Sequence, residues 1–432
     1  GTEDIKRDLL LTAMNGLDQI NDAGGERGKD FVMAKAHAKM GESLMEIGEP
    51  QPARKQFQQS HDILHALALS DKRTEQYIHD LRLGRSFQNL GRAVERLQGP
   101  EAAREFYAKS LGARRKALAS DPDPLRAKQE IAETLGSLGR VELALGRPRE
   151  AMKYFEQSVA YRAEWLKRAP GNEDARREQA GGHLALGHGY RDLGEFDGSA
   201  RHYAEALAIL RELAAGETAQ LTHRANAASC YVYLGTAQLF AGHNEQARKN
   251  YAEAVERFER LLAESPQHEF LLNKLGQARY AWGVVCERLN DPAADEHFRR
   301  SIELRRQLVD KAPTAVGYQQ ALMLSRARAG EVEQAVAIAE KLHDAAPKDP
   351  GVLFHVACGY ALCAAAVGDA EEDGNGSAKP LREQYAEKAV ETLRQAIDQG
   401  YEGHALLEKD PDLQPLHGRP DFVKLLDRLK ER

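Results

Sequence analysis

The amino-acid sequence predicts an all-α protein built as a right-handed superhelical stack of antiparallel helix pairs. Three observations support this fold class. One residue pattern recurs every 48 positions, glycine and proline stand at regular places that suit turns between helices, and small and aromatic residues repeat with helical spacing between those turns. The 432 residues are therefore expected to form one long array instead of several unrelated globular domains.

Composition argues against several classes of protein. The chain has 66 acidic and 60 basic residues, a net charge of −6 and no long basic run, which argues against electrostatically driven binding to nucleic acid. Its four cysteines are too few for a disulfide framework. The longest apolar stretch, Tyr360 to Val367, is shorter than the roughly 18 residues that a membrane span needs. We therefore expect a soluble chain without a membrane-spanning segment.

The period is marked by a reference glycine. Gly91, Gly139, Gly187, Gly235 and Gly283 are each 48 residues apart, and Gly41 precedes Gly91 by 50. A turn residue stands seven positions after the reference glycine, small residues stand 12 and 19 after it, and an aromatic residue stands 16 after it, one position earlier in the last copy. The small and aromatic positions share one helix face, so the small residues allow close backbone approach while the aromatic ring fills the gap between neighbouring hairpins.

Turn residues and prolines define the ends of the second helix in each pair. Gly146 and Gly194 are suited to the positive φ that ends a helix sharply. Four prolines stand nine residues after the reference glycine, where a missing N–H costs nothing at the first turn of a helix: Pro50, Pro100, Pro148 and Pro292. Four more are predicted to end that helix: Pro122, Pro170, Pro266 and Pro313. Helices of roughly 18 to 20 residues follow from these limits.

These residues carry a resemblance to a known family. The string LGRVELALGRPREAMKYFEQS at 138–158 resembles the tetratricopeptide repeat, whose usual length is about 34 residues. Two added turns on each helix account for the longer period and keep the apolar faces in phase. The long repeats are similar to the tetratricopeptide regions of planctomycete-type bacterial serine/threonine protein kinases. That resemblance implies a cytoplasmic array or, as the alternative, an extracytoplasmic segment of a membrane-anchored kinase.

The predicted organisation has four parts. Residues 1–33 form a half-repeat, with an N-terminal helix, and a linker. Residues 34–313 form six long repeats, and residues 314–400 form two shorter or irregular repeats with an acidic, glycine-rich loop at 368–380. Because Ile5 and Leu9 fall where the period places a second helix, we expect the chain to begin halfway through a repeat of a longer parent. Residues 401–432 form a capping segment in which Pro420 opens a short helix that covers the last hairpin through Phe422, Leu425, Leu426 and Leu429.

Catalytic motifs are not apparent in the sequence. The chain has no set of protein-kinase motifs, and AGGERGKD at 23–30 departs from a phosphate-binding loop and is interpreted as a linker between helices. His61 and His65 share a helix face but have no third ligand in sequence, which favours an exposed face. We predict no enzymatic activity, no cofactor and no metal. A metalloenzyme that uses His355 and Cys358 is the alternative.

The resemblance implies a binding groove lined by the first helix of each pair. The family positions lie six and three residues before the reference glycine and one and four after it. Carried over, they include Arg85, Gln88, Arg92, Glu133, Arg140, His188, Arg191, Gln277 and Tyr280. The arginines of this set are suited to bidentate contacts with the carboxylates of an acidic peptide. The alternative interpretation is that these arginines lie on a solvent-exposed helix face and pair with side chains four residues away.

Binding is therefore the predicted function. We expect a protein–protein interaction scaffold that holds a peptide or partner protein, as the regulatory or sensor segment of a bacterial serine/threonine kinase or a related signalling protein. The alternative is a self-standing assembly factor that forms homo-oligomers through an apolar edge at Ile5–Leu11.

Overall fold

The structure, a computed structural model, describes residues 27–72, 74–120, 124–215, 220–369, 378–401 and 403–430. Within these ranges every regular element is a helix, so the predicted all-α class is confirmed. The chain divides into two compact units, which we call unit 1 (Gly1–Gly189) and unit 2 (Tyr190–Arg432). The predicted half-repeat with Ile5, Leu9 and Leu10 lies outside the described residues, as does Pro122.

Unit 1 consists of consecutive antiparallel helix pairs. Its helices are α1 (Arg27–Glu46), α2 (Pro50–Ser70), α3 (Gln76–Gln98), α4 (Pro100–Ser120), α5 (Leu125–Ala144), α6 (Pro148–Arg168) and α7 (Glu173–Asp192), the last of which contains the boundary between the units. The pairs α1/α2, α3/α4 and α5/α6 each pack side by side, and α2 also packs on α3 and α4 on α5. Of the segment 1–33, residues 27–33 are described and belong to α1, which begins at Arg27.

Unit 2 also consists mainly of antiparallel helix pairs. Its helices are α8 (Phe196–Leu213), α9 (Leu221–Phe240), α10 (Asn244–Glu264), α11 (Glu269–Arg288), α12 (Ala294–Lys311), α13 (Val316–Arg328), α14 (Val332–Ala345), α15 (Pro350–Asp369), α16 (Ala378–Asp398), α17 (His404–Lys409) and α18 (Pro420–Lys430). A short 3-10 helix at Gln414–Leu416 lies between the last two. Of the predicted loop at 368–380, residues 370–377 lie outside the described part, and the flanking residues are helical.

Glycines with positive φ make the turns inside the pairs. Gly146 and Gly194 have φ of 69° and 76°, which confirms the prediction for both. In the α3/α4 pair the turn residue is Gly99, with φ of 89°, one position after the predicted Gln98, because α3 continues to Gln98. Asn290 takes the same role with φ of 53°, which is a conformation that asparagine tolerates better than most residues.

Three of the four prolines that are predicted to open a helix do so. Helices α2, α4 and α6 begin at Pro50, Pro100 and Pro148. Pro292 does not open a helix, because α12 begins at Ala294. There the preceding Asp291 caps the turn instead: its Oδ1 accepts a hydrogen bond from the Ala293 N–H at 3.0 Å.

In five of the six long repeats, those of Gly41, Gly91, Gly139, Gly235 and Gly283, the aromatic residue lies against the reference glycine of its own pair. A methyl group at Gly91 would come within 2.7 Å of the Tyr107 ring, and one at Gly283 within 2.5 Å of the Phe298 ring. Tyr107 also belongs to an apolar cluster with Ile131 and Leu135 of the next pair, so the predicted gap-filling role is confirmed. The close approach requires glycine at the reference position, since any Cβ would overlap the ring.

The small residue 19 positions after the reference glycine also has a polar role. Ser110 Oγ donates a hydrogen bond to the Gly84 carbonyl at 2.7 Å, and Ser158 Oγ donates to the Ala132 carbonyl at 2.7 Å. Ser60, 19 positions after Gly41, and Ser301, 18 positions after Gly283, make the equivalent bonds to the Ala34 and Gly276 carbonyls. Each bond joins the two helices of one pair, so these serines stabilise the pairs as well as fit within them.

Helix α15 contains a segment that is long and apolar enough for a membrane span, contrary to the expectation drawn from the longest apolar stretch. Its segment Pro350–Val367 has a mean hydropathy of 1.7 and is, within the described part of the chain, the one segment long and apolar enough to cross a membrane. However, 72% of that segment is buried, in a cluster with α13, α14 and α16. Its apolar character is therefore accounted for by its place in the core of unit 2.

Candidate functional site

A cavity of about 630 Å³ opens between α1 and α3 in unit 1. Its wall consists of residues from α1, α2 and α3, with Arg126 contributed by α5. The cavity therefore lies on the face formed by the first helices of successive pairs, which is the face that the sequence predicts for binding. We call it the α1/α3 cavity.

The floor of the α1/α3 cavity is apolar. It includes Phe31, Leu64, Tyr77, Ile78 and Leu81. Phe31 is 36% exposed, so a large apolar side chain of the cavity lining is available for contact. An apolar recess with a few polar groups around it is the usual form of a ligand site.

The rim of the cavity is basic. Its lining contains five basic side chains and one acidic side chain, Lys35, Lys39, Arg82, Arg85 and Arg126 against Glu42. The Arg82 guanidinium lies 3.8 Å from the centre of the Phe31 ring in a cation–π contact, and burial lowers its pKa. Glu42 accepts from Lys39 at 2.7 Å, but this exposed pair is weak. The cavity mouth therefore favours negatively charged groups.

A single carboxylate serves several of these arginines. Glu130 accepts from Arg85 Nη2 at 2.7 Å and lies 3.4 Å from Arg126 Nε and from Arg114 Nε. Because three guanidinium groups share one nearly buried carboxylate, positive charge remains in excess next to the cavity. A second carboxylate, Glu133, lies 3.4 Å from Arg114 Nη2, on the far side of that buried arginine.

The structure brings one predicted groove residue of unit 1 to the cavity and places the others elsewhere. Arg85 lines the cavity. Gln88 is buried and donates to Ser137 Oγ of α5 at 2.9 Å, so it joins two helices instead of facing a partner. Arg92 and Arg140 are exposed. Burial and the hydrogen bond that it donates to Glu95 at 2.6 Å raise the pKa of the Tyr107 hydroxyl, and the charges of these two arginines oppose that rise.

The remaining predicted residues are distributed over α7 and α11. His188 is half-buried. Arg191 donates through Nε and Nη2 to Asp192 Oδ1 at 2.9 and 2.7 Å. Gln277 is exposed and accepts from Lys274 at 3.4 Å, whereas Tyr280 donates to the carboxylate of Asp412, which belongs to the C-terminal segment of the same chain. In unit 2 the predicted groove residue Tyr280 therefore contacts a C-terminal segment of the same chain.

Sequence reasoning missed Phe31, Arg82 and Arg126. The family positions derive from a 34-residue repeat, and the added helical turns extend the inner face beyond them. Arg82 lies three residues before the predicted Arg85, and Arg126 lies seven before the predicted Glu133. Steps of three and seven stay on one helix face, so extending the family positions by one or two turns identifies both arginines.

The histidine and cysteine candidates do not form a metal site among the described residues. His61 is half-buried, contrary to the expected exposed face: its Nδ1 lies 2.9 Å from Ser86 Oγ and its ring 4.5 Å from that of Phe87. His355 Nδ1 lies 2.8 Å from the Gly351 carbonyl of its own helix. Burial raises the pKa of the Cys358 thiol well above its usual value, which disfavours the thiolate that metal binding requires.

Comparisons with known proteins agree with the repeat architecture. Residues 131–166, which span most of α5 and α6, match the tetratricopeptide repeat family. No curated protein shows significant sequence similarity to the chain.

Several solved structures share the fold. Aspartyl phosphate phosphatase F from Bacillus subtilis is 15% identical, with a TM-score of 0.53 and coverage of 92% of both chains. The apo form of the quorum sensor NprR from B. thuringiensis is 12% identical, with a TM-score of 0.51 and coverage of 92% of this chain and 98% of that one. The apo form of RapI is 15% identical, with a TM-score of 0.51 and coverage of 76% and 100%. At these identities the similarity concerns the fold, which is tetratricopeptide-like.

Proposed function

We propose that this chain is a protein-interaction scaffold and that its α1/α3 cavity binds a short segment of a partner protein. The observation that carries the proposal is the combination of an apolar floor with a rim of five basic side chains and one acidic side chain. Stacked helix pairs present such faces without catalytic groups of their own, and extended or helical peptides bind on them through a few anchor side chains.

The chemistry of the cavity specifies the partner segment. One aromatic or branched apolar side chain fills the recess beside Leu81 and Phe31, and carboxylates next to it reach Arg82 and Arg126. Arg82 suits this role because its guanidinium lines the cavity 3.8 Å from the centre of the Phe31 ring, and a guanidinium can donate two hydrogen bonds to one carboxylate. The partner segment is therefore acidic with an apolar anchor.

We also propose that the array is the regulatory or sensor segment of a longer bacterial signalling chain, of the serine/threonine kinase type, that acts in the cytoplasm. The support is the resemblance of its 48-residue repeats to the tetratricopeptide regions of those kinases. Sequencing the gene that encodes this chain tests the proposal. A kinase domain in the same reading frame would support it, and a complete gene without one would contradict it.

Selection of peptides on the intact chain tests the binding proposal. A displayed library of random 12-residue peptides is selected on the immobilised protein, and the enriched peptides are measured against the double variant Arg82→Glu plus Arg126→Glu. We expect enriched sequences with one large apolar residue flanked by Asp or Glu, and at least a tenfold loss of affinity in the variant, equivalent to about 1.4 kcal/mol.

A matched control separates the cavity from a general charge effect. Arg115 and Lys116 are exposed on α4 and do not line the cavity, and the double variant Arg115→Glu plus Lys116→Glu changes the net charge by the same amount. The control should bind the selected peptides as the wild type does. Equal weakening in both double variants, or none in either, would show that the α1/α3 cavity is not the site.

A further inference from the structure

Tyr401 and residues 403–419, which we call the tail segment, lie on the first helices of unit 2. The Tyr401 ring stacks on that of Phe354 of α15, with centroids 4.5 Å apart and planes inclined by 8°. Leu407, Leu413 and Leu416 are fully buried in the apolar cluster of α13 to α16. The tail segment thus crosses the face that the family resemblance identifies as a peptide-binding groove.

Asp412 makes the main polar contacts of the tail segment. Its Oδ1 accepts from Tyr280 Oη at 2.7 Å and from Arg328 Nη2 at 2.6 Å. The same Arg328 nitrogen donates to the Pro411 carbonyl at 2.9 Å. Asp412 is 7% exposed, so these are shielded, charge-assisted hydrogen bonds of the kind that determines specificity.

The groups that hold Asp412 are themselves held by the helix pairs. Arg328 Nη1 donates to Glu287 of α11 at 2.5 Å. The Arg305 guanidinium lies 5.0 Å from the centre of the Tyr280 ring. Because these supporting contacts lie within α11, α12 and α13, the receptor for the carboxylate exists independently of the tail segment.

The rest of the tail segment packs less completely. Lys409 Nζ lies 5.0 Å from the centre of the Phe196 ring, and a cavity of about 410 Å³ remains beside it, with Arg288, Asp410 and His417 in its wall. This part of the segment therefore leaves space on the same face, next to a further arginine.

We propose that the tail segment is an intramolecular ligand, and that the inner face of unit 2 binds an acidic partner peptide carrying an Asp-Leu pair in competition with it. Asp412 and Leu413 are the template: a carboxylate bound by Arg328 and Tyr280, followed by an apolar side chain buried between helices. This surface lies in unit 2, whereas the α1/α3 cavity lies in unit 1. The proposal for unit 2 therefore does not depend on the proposed function of that cavity.

Amide hydrogen exchange on the full chain tests whether the tail segment is detachable. Asp412→Asn keeps the side-chain shape but removes the charge that Arg328 and Tyr280 hold. We expect the amides of residues 403–419 to exchange at least tenfold faster in the variant, while those of α11 and α13 keep their wild-type rates. Equal acceleration in the tail segment and in α13 would show that the segment is part of the core and would overturn the proposal, as would unchanged rates in both.

A synthetic peptide tests competition. The probe is fluorescein-labelled LLEKDPDLQPLH, the sequence of residues 406–417. We expect it to bind the Asp412→Asn chain at least tenfold more tightly than the wild type, because the groove is then less occupied. Binding of equal strength to both chains, or to neither, would overturn the proposal.

Three controls locate the bound peptide. A peptide with Asn at the position of Asp412 should bind at least tenfold more weakly. Adding Arg328→Met to Asp412→Asn should remove binding of the original peptide, and unchanged affinity there would contradict the assigned contact. The α1/α3 cavity variant Arg82→Glu plus Arg126→Glu, added to Asp412→Asn, should leave the affinity unchanged, which distinguishes this surface from the cavity of unit 1.

Discussion

The ring of Tyr107 lies directly against Gly91, on the first helix of the same pair, so that a methyl group added to that glycine would stand 2.7 Å from ring atom Cε1. The ring has no accessible surface and is held at its far end by the hydrogen bond from its hydroxyl to Glu95 at 2.6 Å. It therefore has no space into which it can move. The distance between α3 and α4 depends on the missing side chain of Gly91.

Replacement of Gly91 tests this relationship. We expect Gly91→Ala to destabilise unit 1 by about 1–3 kcal/mol, because the added methyl overpacks the contact with Tyr107. Gly112, which is also helical but exposed and has no atom within 4 Å of an added Cβ, is the control. Gly112→Ala should stabilise by up to about 1 kcal/mol through helix propensity alone. Urea unfolding followed by circular dichroism measures both, and shifts of the same sign would contradict the packing argument.

Two adjacent arginines on α4 should differ widely in their contribution to stability. Arg114 is 1% exposed, and its Nη1 donates to the Glu130 carbonyl at 2.5 Å and to Thr134 Oγ1 of α5. Arg114→Ala leaves those buried groups with fewer partners and should cost about 3–5 kcal/mol. The exposed neighbour Arg115 contacts Gln157 at 3.3 Å, and Arg115→Ala should change stability by less than about 0.5 kcal/mol. Equal effects in thermal unfolding would show that the buried arginine does not join the pairs.

His297 should make unit 2 sensitive to acid. Its ring stacks on Trp282 with centroids 4.1 Å apart, and Arg279 Nη1 donates to its Nδ1 at 3.1 Å. Burial, and after it the charge of Arg279, lower the pKa of His297 from 6.5 to about 4, although Glu296, Asp291 and Glu259 oppose the shift. The unfolded chain then binds more protons between pH 4 and 6.5, so stability falls as the pH falls through that window.

The stacked tryptophan provides the measurement for His297. In a Trp165→Phe background, Trp282 is the remaining tryptophan. We expect its emission to stay constant from pH 7 to 5 and to change near pH 4, the value to which the pKa of His297 is lowered. His297→Gln should abolish the change and reduce the loss of thermal stability on acidification. A transition centred near pH 6.5 would mean that the imidazole titrates as in the unfolded chain.

Asp410 should give the tail segment the opposite pH dependence. Burial, and after it the charge of Asp412, raise the pKa of Asp410 from 3.8 to about 7, against the lowering effects of Arg328 and Arg288. The segment's own Glu408, Lys409 and His417 lie beside it in the wall of the smaller cavity. Since the folded chain binds the extra proton between pH 4 and 7, docking of the tail segment weakens as the pH rises through that window.

Exchange rates as a function of pH measure this effect. After correction for intrinsic exchange, the amides of residues 403–419 should lose protection between pH 5 and 7.5 in the wild type, the range below and around the raised pKa of Asp410. In Asp410→Asn, which carries no titrating group at that position, protection should be independent of pH over the same range. Protection that increases with pH in the wild type would contradict the assigned direction.

Much of the fold followed from local signals. Gly146 and Gly194 were predicted as turn residues, and both have positive φ; Pro50, Pro100 and Pro148 open helices as expected. These signals work because a turn or a first helical turn depends on its own few residues. The prediction that Pro292 opens a helix was wrong. The helix begins at Ala294, and in the turn before it the Asp291 carboxylate accepts a hydrogen bond from the Ala293 N–H.

The candidate site was predicted only in part. Of the residues that the sequence assigns to a groove, Arg85 lines the α1/α3 cavity, whereas Gln88 joins two helices through Ser137 and Tyr280 donates to Asp412. Family positions specify which way a residue faces on its own helix. They do not specify which side chain of another helix lies opposite, because that depends on packing between segments that are far apart in the sequence.

The sequence by itself determined the period, the helix pairs and their turns, since helix periodicity and glycine or proline turns act over a few residues and recur along the chain. Only the tertiary structure decided that the rings lie on the glycines of their own pairs, that Glu130 is shared among three arginines, and that the tail segment meets Arg328. Asp412 is 84 residues from Arg328 and 132 from Tyr280 along the chain. Contacts over such separations arise from the burial of Leu413 and Leu416 and the pairing of charges in the packed unit, for which a local pattern contains no signal.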